Sequence, residues 1–337
     1  MLKVLFIGGT GVISSECSAY AVSNGVDLTI LNRSVSKKHQ IPAGARQILG
    51  DIQKEAPDLL SRLNQQHFDV VVDWIAFTPQ DIERDLRLFR GKTGQFIFIS
   101  SASAYQKPPA NYLITEQTPL ENPFWQYSRD KIACEQLLMD EYQKNDFPVT
   151  IIRPSLTYGY SQIPLIFGSW NYPYTVIDRI KKEKKIIVPG DGTSLWSLTW
   201  SGDLARGLTG LFGRKDTLGE AFHITTDEVL TWNQIYADLG KALGVEPEIV
   251  HIASDLLAAY TDRAVGSLIG DKANSVVFDN SKIKKYVPGF KCEVSWAQGV
   301  KRAIDWHEAS PERMEIDPEL NQLWDRIITG YEKAFPA

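Results

Sequence analysis

Over residues 1–158 the chain alternates two kinds of apolar pattern. Short, nearly continuous runs of β-branched, aromatic and aliphatic residues occur at 4–7, 28–31, 47–49, 68–73, 95–100 and 149–153 and read as strands. Between them, 12–23, 53–66, 80–89 and 127–144 carry apolar residues at helical spacing. A strand apolar on both faces belongs to a parallel sheet covered on both sides. Strict alternation with helices is how two βαβαβ halves are written, so the pattern predicts an α/β fold, a Rossmann-type doubly wound parallel sheet. Such a sheet binds ligands beyond the carboxyl ends of its strands, and functional residues are expected just after each run.

From Tyr158 onward the pattern changes to aromatic- and proline-rich loops between short elements. A helix at 201–212 and a strand at 221–224 read as a return to the sheet, and 232–243 and 295–307 as amphipathic helices. The expected division is a nucleotide-binding domain of residues 1–158 plus about 197–225, and a smaller, discontinuous substrate lobe of 159–196 plus about 226–337. The absence of a flexible linker favours two lobes that share a cleft.

Composition narrows the function classes. The 337 residues, 43% hydrophobic, suffice for a sizeable core, and a net charge of −5 argues against nucleic-acid or anionic-membrane partners. No apolar run approaches the roughly 20 residues of a membrane span, and nothing resembles a leader segment. Cys17, Cys134 and Cys292 are widely spaced and read as reduced thiols in a cytoplasm. The five histidines form no pair at i, i+4, so no metal site is expected.

The first strand stops at Gly8, Gly9, Thr10 and Gly11, and Val12 and Ile13 lead into a helix. A strand, glycine turn and helix point backbone N–H groups and the positive end of a helix dipole at one spot, where a pyrophosphate fits. Gly9 to Ser14 matches G-x-G-x-x-G/A, with a small serine in the last place. After the second strand, Asn32 stands where NAD-binding folds carry an acid, and Arg33 follows. A guanidinium can hold a 2′-phosphate, assisted by Lys37 or Lys38, so NADP is favoured over NAD; the alternative is an exposed arginine in a loop. Tyr127 and Lys131, four apart, share a helix face. A nearby cation favours a phenolate, which can exchange protons with a substrate oxygen. Such a pair is common by chance, but this one follows a hydroxyl-rich segment at 100–105 on the sheet's carboxyl edge.

Taken with 152–159, 188–192, 202–205 and 295–306, these stretches resemble the extended short-chain dehydrogenase/reductase superfamily, the NAD(P)-dependent sugar epimerases and dehydratases. The resemblance implies that Tyr127 is the acid/base, that Lys131 holds the nicotinamide ribose and lowers the tyrosine pKa, and that Ser101 hydrogen-bonds the reacting oxygen. It places Asp51 and Ile52 at the adenine edge. It sets Ile75, Ala76 and Ser100 beside the cofactor, and Pro154, Ser155 and Leu156 beside the nicotinamide. A sugar-like substrate, NADP or NAD as cofactor, and a homodimer through helices 80–89 and 127–144 are implied as well. Two departures bear on the substrate. Trp196 stands where nucleotide-sugar enzymes grip a diphosphate with arginine, and Ala102 and Ser103 lack the acids of the 4,6-dehydratases. The stretches 222–232 and 246–251 look similar to the chloroplast stem-loop-binding branch, which is associated with RNA. An oxidoreductase or epimerase is the favoured reading, and a catalytically silent nucleotide-sensing or RNA-binding protein the alternative. Trp170, Tyr172, Trp196 and Trp200 are candidate walls of the substrate cleft, or equally lobe core.

Overall fold

The computed structural model describes residues 1–35 and 38–334. Strands β1 (Lys3–Ile7), β2 (Asp27–Asn32), β3 (Arg46–Leu49), β4 (Phe68–Asp73), β5 (Thr93–Ile99), β6 (Val149–Ile152) and β7 (Ala221–Phe222) form one sheet. Their order is β7-β6-β5-β4-β1-β2-β3, and every pairing is parallel. The order reverses between β1 and β4, which opens a crevice above their carboxyl ends.

The strands between β2 and β6 in the sheet bury alternate residues on opposite faces, while the edge strand β3 buries only Ile48. On one face Leu5, Ile7, Val71, Phe96 and Phe98 pack with Leu59 and Leu63 of α2 (Pro57–Asn64), Ile82 and Leu86 of α3 (Pro79–Phe89) and Leu138 of α4 (Gln126–Asn145). On the other, Val4, Phe6, Val70, Val72 and Ile97 meet Cys17 and Ala21 of α1 (Ser14–Ser23) and Leu204 and Leu208 of α5 (Ser201–Thr209). A separate core gathers Trp196, Trp232 of α6 (Trp232–Leu243), Trp296 of α7 (Trp296–Glu308) and Trp324 of α8 (Pro318–Glu332). Among the described residues no helix is long and apolar enough to cross a membrane.

The expected elements are present with shifted ends. The helix read at 53–66 splits into a 3-10 turn, Ile52–Lys54, and α2. Asp51 caps the turn by accepting from Gln53 N, Glu55 takes φ 45°, and Ala56 is extended before Pro57. Proline disfavours helical backbone at the preceding residue, so the chain restarts its helix there. The strand read at 221–224 ends at Phe222, and the helix read at 201–212 at Thr209.

Two buried polar clusters position the sheet. At its lower end Gln95 Nε2 donates to Thr150 Oγ1 (2.9 Å), Thr217 Oγ1 (2.9 Å) and Leu211 O (3.1 Å), and Gln95 Oε1 accepts from Gly213 N (2.8 Å). One amide thus ties β5 to β6 and to the chain after α5. At the carboxyl end of β4, Arg84 of α3 meets Asp85 (2.8 Å), Asp81 (3.1 Å) and Asp73 (3.4 Å). Burial and the neighbouring Asp73 push the Asp85 carboxyl well above the carboxylate range.

Gln95→Leu strands several buried polar groups without partners, and we expect it to cost roughly 2 to 4 kcal/mol, read from urea denaturation midpoints. Asp85 generates a pH signature. The folded carboxyl holds its proton to higher pH than the unfolded one, which ionises near pH 4, so stability falls as pH rises above that value, by at most about 1.4 kcal/mol per pH unit. Asp85→Asn removes the titration. Its stability relative to the parent should therefore improve from pH 4 to pH 7, and a constant difference across that range would show that Asp85 is ionised in the folded protein.

Candidate active site

The glycine turn is fixed by close approach. Gly8 and Gly9 have φ of 106° and 95°, and a Cβ on Gly9 would sit 3.0 Å from Ile30 Cγ2. Only glycine adopts this backbone without strain. Ser18 Oγ donates to Gly9 O (2.9 Å) and Gly11 N donates to Ser14 Oγ (2.9 Å), so the serine in the last motif place also braces the turn. A cavity of about 330 Å³ opens above, lined by Gly8, Gly9, Thr10, Gly11, Ser14, Asn32, Arg33, Asp51, Ile52 and Ile75 among others. Val12 and Ile13 fall at the entry to α1, and their side chains do not line it.

At one end Asn32 accepts from Gln47 Nε2 (2.8 Å) and donates to Thr10 Oγ1 (3.3 Å). Arg33 is 62% exposed, with Nη1 3.8 Å from Asp51 Oδ2. Lys37, named with it above, lies outside the described residues. At the other end Asp73 Oδ1 accepts from Ile75 N (2.6 Å) and Ala76 N (2.8 Å), folding the β4 exit back over the sheet. Lys131 Nζ donates to Ala76 O (2.7 Å) and Ile99 O (2.8 Å), joining the exits of β4 and β5. Burial lowers the lysine pKa to about 8.

Beyond Phe77 lies a second cleft of about 410 Å³, lined by Ser101, Tyr127, Pro154, Ser155 and Leu156 together with Trp125, Trp170 and Trp196. The Tyr127 ring lies between Trp125 (5.0 Å between centroids) and Phe77 (6.3 Å). Burial raises the phenol pKa, the Ser101 hydroxyl opposes that rise by hydrogen bonding, and the Asp271 charge adds to it. The lowering expected from Lys131 is therefore not the net effect here. The ammonium is 5.9 Å from the ring and already engaged with two carbonyls. Ser101 Oγ is 2.9 Å from Ser103 Oγ, which accepts from Ser128 Oγ (2.8 Å), so a chain of hydroxyls fixes Ser101 behind the cleft.

Some expected residues lie elsewhere. The Ser100 hydroxyl donates to Glu135 (2.5 Å), itself paired with Arg153, and Ser100 lines neither cavity. Tyr172 lines a separate small cavity, and Trp200 is buried against Tyr158 and Tyr160. Asp203 accepts from Glu293 N (3.1 Å) and Val294 N (3.0 Å), a structural tie. Trp196 does reach the cleft and offers no guanidinium. Sequence reasoning passed over Phe77, Trp125, Lys107, Asp271 and Lys272, all of which line the cleft. Only the aromatic density at 124–127 was a visible signal. Through Trp125, Leu156, Trp170 and Lys272 the cleft adjoins a larger cavity of about 690 Å³.

The chain is 28% identical over 264 residues to the chloroplast stem-loop binding protein of 41 kDa b of Arabidopsis thaliana, covering 74% of this chain and 65% of that relative. It is 23% identical to a putative UDP-glucose 4-epimerase of Methanocaldococcus jannaschii, over 90% of this chain and 97% of the relative. The UDP-glucose 4-epimerase of Bifidobacterium longum, solved with NAD+ and UDP, shares the fold with a TM-score of 0.74 at 19% identity, covering 92% of this chain and 99% of that one. Residues 4–224 match the NAD dependent epimerase/dehydratase family, and the chain belongs to that family of enzymes.

Proposed function

We propose that the protein is an NAD(P)-dependent oxidoreductase or epimerase acting on a sugar-like alcohol or carbonyl, with Tyr127 as acid/base, Ser101 on the reacting oxygen and Lys131 at the cofactor side. One observation carries this reading: the glycine-lined cavity and the cleft meet at Phe77, and Tyr127 and Lys131 both flank that residue. The glycine cradle that a Cβ would fill suits a dinucleotide, which when bound supplies a hydride acceptor or donor at the junction. The chain's own contribution is the proton. As its phenolate Tyr127 takes it from the carbinol hydroxyl during oxidation, and as the phenol returns it on reduction, while Ser101, oriented by Ser103, donates to the carbonyl oxygen.

The solved relative's bound UDP supports a nucleotide-linked sugar, with the adjoining 690 Å³ cavity as room for the remainder. With Trp196 in the cleft, the anchoring does not rest on an arginine at that position. NADP is the preferred cofactor on this reading. Arg33 is exposed and only loosely paired with Asp51, and a pair of that kind contributes little, which leaves its guanidinium for a 2′-phosphate. A homodimer through α3 and α4, in a reducing cytoplasm that suits three free thiols, completes the proposal.

Mass spectrometry of the dinucleotide released on denaturation, with NADPH and NADH titrations, tests the cofactor. Tighter NADPH binding, reduced about tenfold by Arg33→Ala, is expected; equal affinities would remove the NADP preference. With a sugar that reduces the bound nicotinamide, Tyr127→Phe should lower turnover by about 10² to 10⁴-fold without releasing the dinucleotide. Full turnover in that variant would sink the assignment of Tyr127. A protein that binds neither dinucleotide yet retards RNA in a salt-dependent gel shift would move the function to RNA binding.

A further inference from the structure

Three charged side chains face the cleft that holds Tyr127, and no catalytic role above uses them. Lys107 follows the serine segment and is only 4% exposed. Asp271 and Lys272 close the π-helical turn Val265–Lys272. Lys107 Nζ is 3.5 Å from Asp271 Oδ1, and Lys272 Nζ is 2.8 Å from Asp271 Oδ2. Asn122 clamps the two segments together, donating to Ser103 O (2.8 Å) and Gly270 O (2.7 Å). The Trp196 ring lies 5.3 Å from the Lys107 ammonium and 6.0 Å from that of Lys272.

The charges do not balance. Two ammonium groups share one carboxylate, and the other residues lining the cleft carry no formal charge, so an excess of one positive charge sits among largely apolar walls. Each ammonium has three donors, and Asp271 offers one oxygen to each. Burial also lowers the Lys107 pKa against the pull of Asp271, a cost that a further anion would offset.

We propose that Lys107 and Lys272, spaced by Asp271, seat a carboxylate of the substrate, so that a sugar acid and not its neutral counterpart is the preferred substrate class. This rests on the reaction proposed at Tyr127 and specifies its substrate. A monoanion cancels the excess charge, whereas a phosphate dianion would leave the apolar cleft with a net negative charge. Asp271 is a positioning residue: it holds the two ammonium groups apart and touches no substrate atom.

Binding to the full chain saturated with NADP+ tests the proposal. UDP-glucuronate and UDP-galacturonate are titrated against UDP-glucose and UDP-galactose, with the free acids, free sugars and their 6-phosphates alongside, by calorimetry and by the fluorescence of the cleft tryptophans. The acids should bind at least about tenfold tighter than the neutral sugars. Lys107→Met and Lys272→Met should each remove most of that difference while leaving NADPH affinity unchanged, and Lys272→Arg should keep it. Lys272 is less buried than Lys107, so its variants carry the test where Lys107→Met fails to fold. Equal affinity for acid and neutral sugar, a preference that survives both methionine variants, tighter binding of the 6-phosphates, or no sugar binding by a protein that binds NADPH would each overturn it. Loss of the reaction reading shows separately, as failure to bind a dinucleotide or as an active Tyr127→Phe.

Discussion

Much of the site depends on one buried ammonium. Lys131 Nζ lies between the carbonyls of Ala76 and Ile99, where β4 and β5 leave the sheet. Ala76 lies beyond β4 and Ile99 is the last residue of β5, and a buried acceptor without a partner is costly. A lysine reaching up from α4 satisfies both and sets the separation of the two exits. One exit bounds the glycine-lined cavity and the other leads into the serine segment of the cleft. The burial that makes the bonds strong also lowers the lysine pKa to about 8, so this staple is held by a charge near its limit of stability.

The acidic cluster beneath β4 serves the same geometry from below. Asp73 folds Ile75 and Ala76 back by accepting their N–H groups, and Arg84 neutralises Asp73 from α3. Burial and Asp73 push the Asp85 carboxyl up, which opposes a further negative charge beside those of Asp73 and Asp81. The loop that carries Phe77 is thus fixed at both ends, by an anion at Asp73 and a cation at Lys131. Phe77 can stand between the two cavities because the backbone before it has little freedom.

The sheet was legible in the sequence because its central strands are apolar on both faces and Gly8 and Gly9 in the first turn answer a steric demand. The placement of Tyr127, Lys131 and Ser101 around one cleft was legible for a similar reason: Tyr127 and Lys131 are one helical turn apart, and Ser101 lies two residues beyond the end of β5. Where contacts are long-range the sequence carried less. Nothing near Lys107 announces Asp271, since their meeting depends on how the second lobe folds over the first. Ser100 and Ser101 look alike in sequence, but side chains alternate along an extended chain. Ser100 therefore turns into the buried pair of Glu135 and Arg153, while Ser101 turns into the cleft. Trp196 and Trp200 both belong to the lobe core, and of the two only Trp196 also lines the cleft. Pro57 could have corrected the helix read at 53–66, because its effect on Ala56 is local.

Trp196 bears on how the site chooses a ligand. An arginine there would offer a fixed fork of donors to a phosphate. An indole in its place offers one N–H and a face on which an ammonium can rest, and both Lys107 and Lys272 lie within cation–π range of it. Positive charge in the cleft therefore comes from two point charges whose spacing is set by Asp271. Point charges discriminate by net charge more than by shape. In a cleft walled largely by apolar side chains such as Trp125, Leu156 and Phe278, a single unit of excess charge weighs in selection. Ligand choice at this site is therefore governed first by charge balance and only then by fit to the aromatic walls.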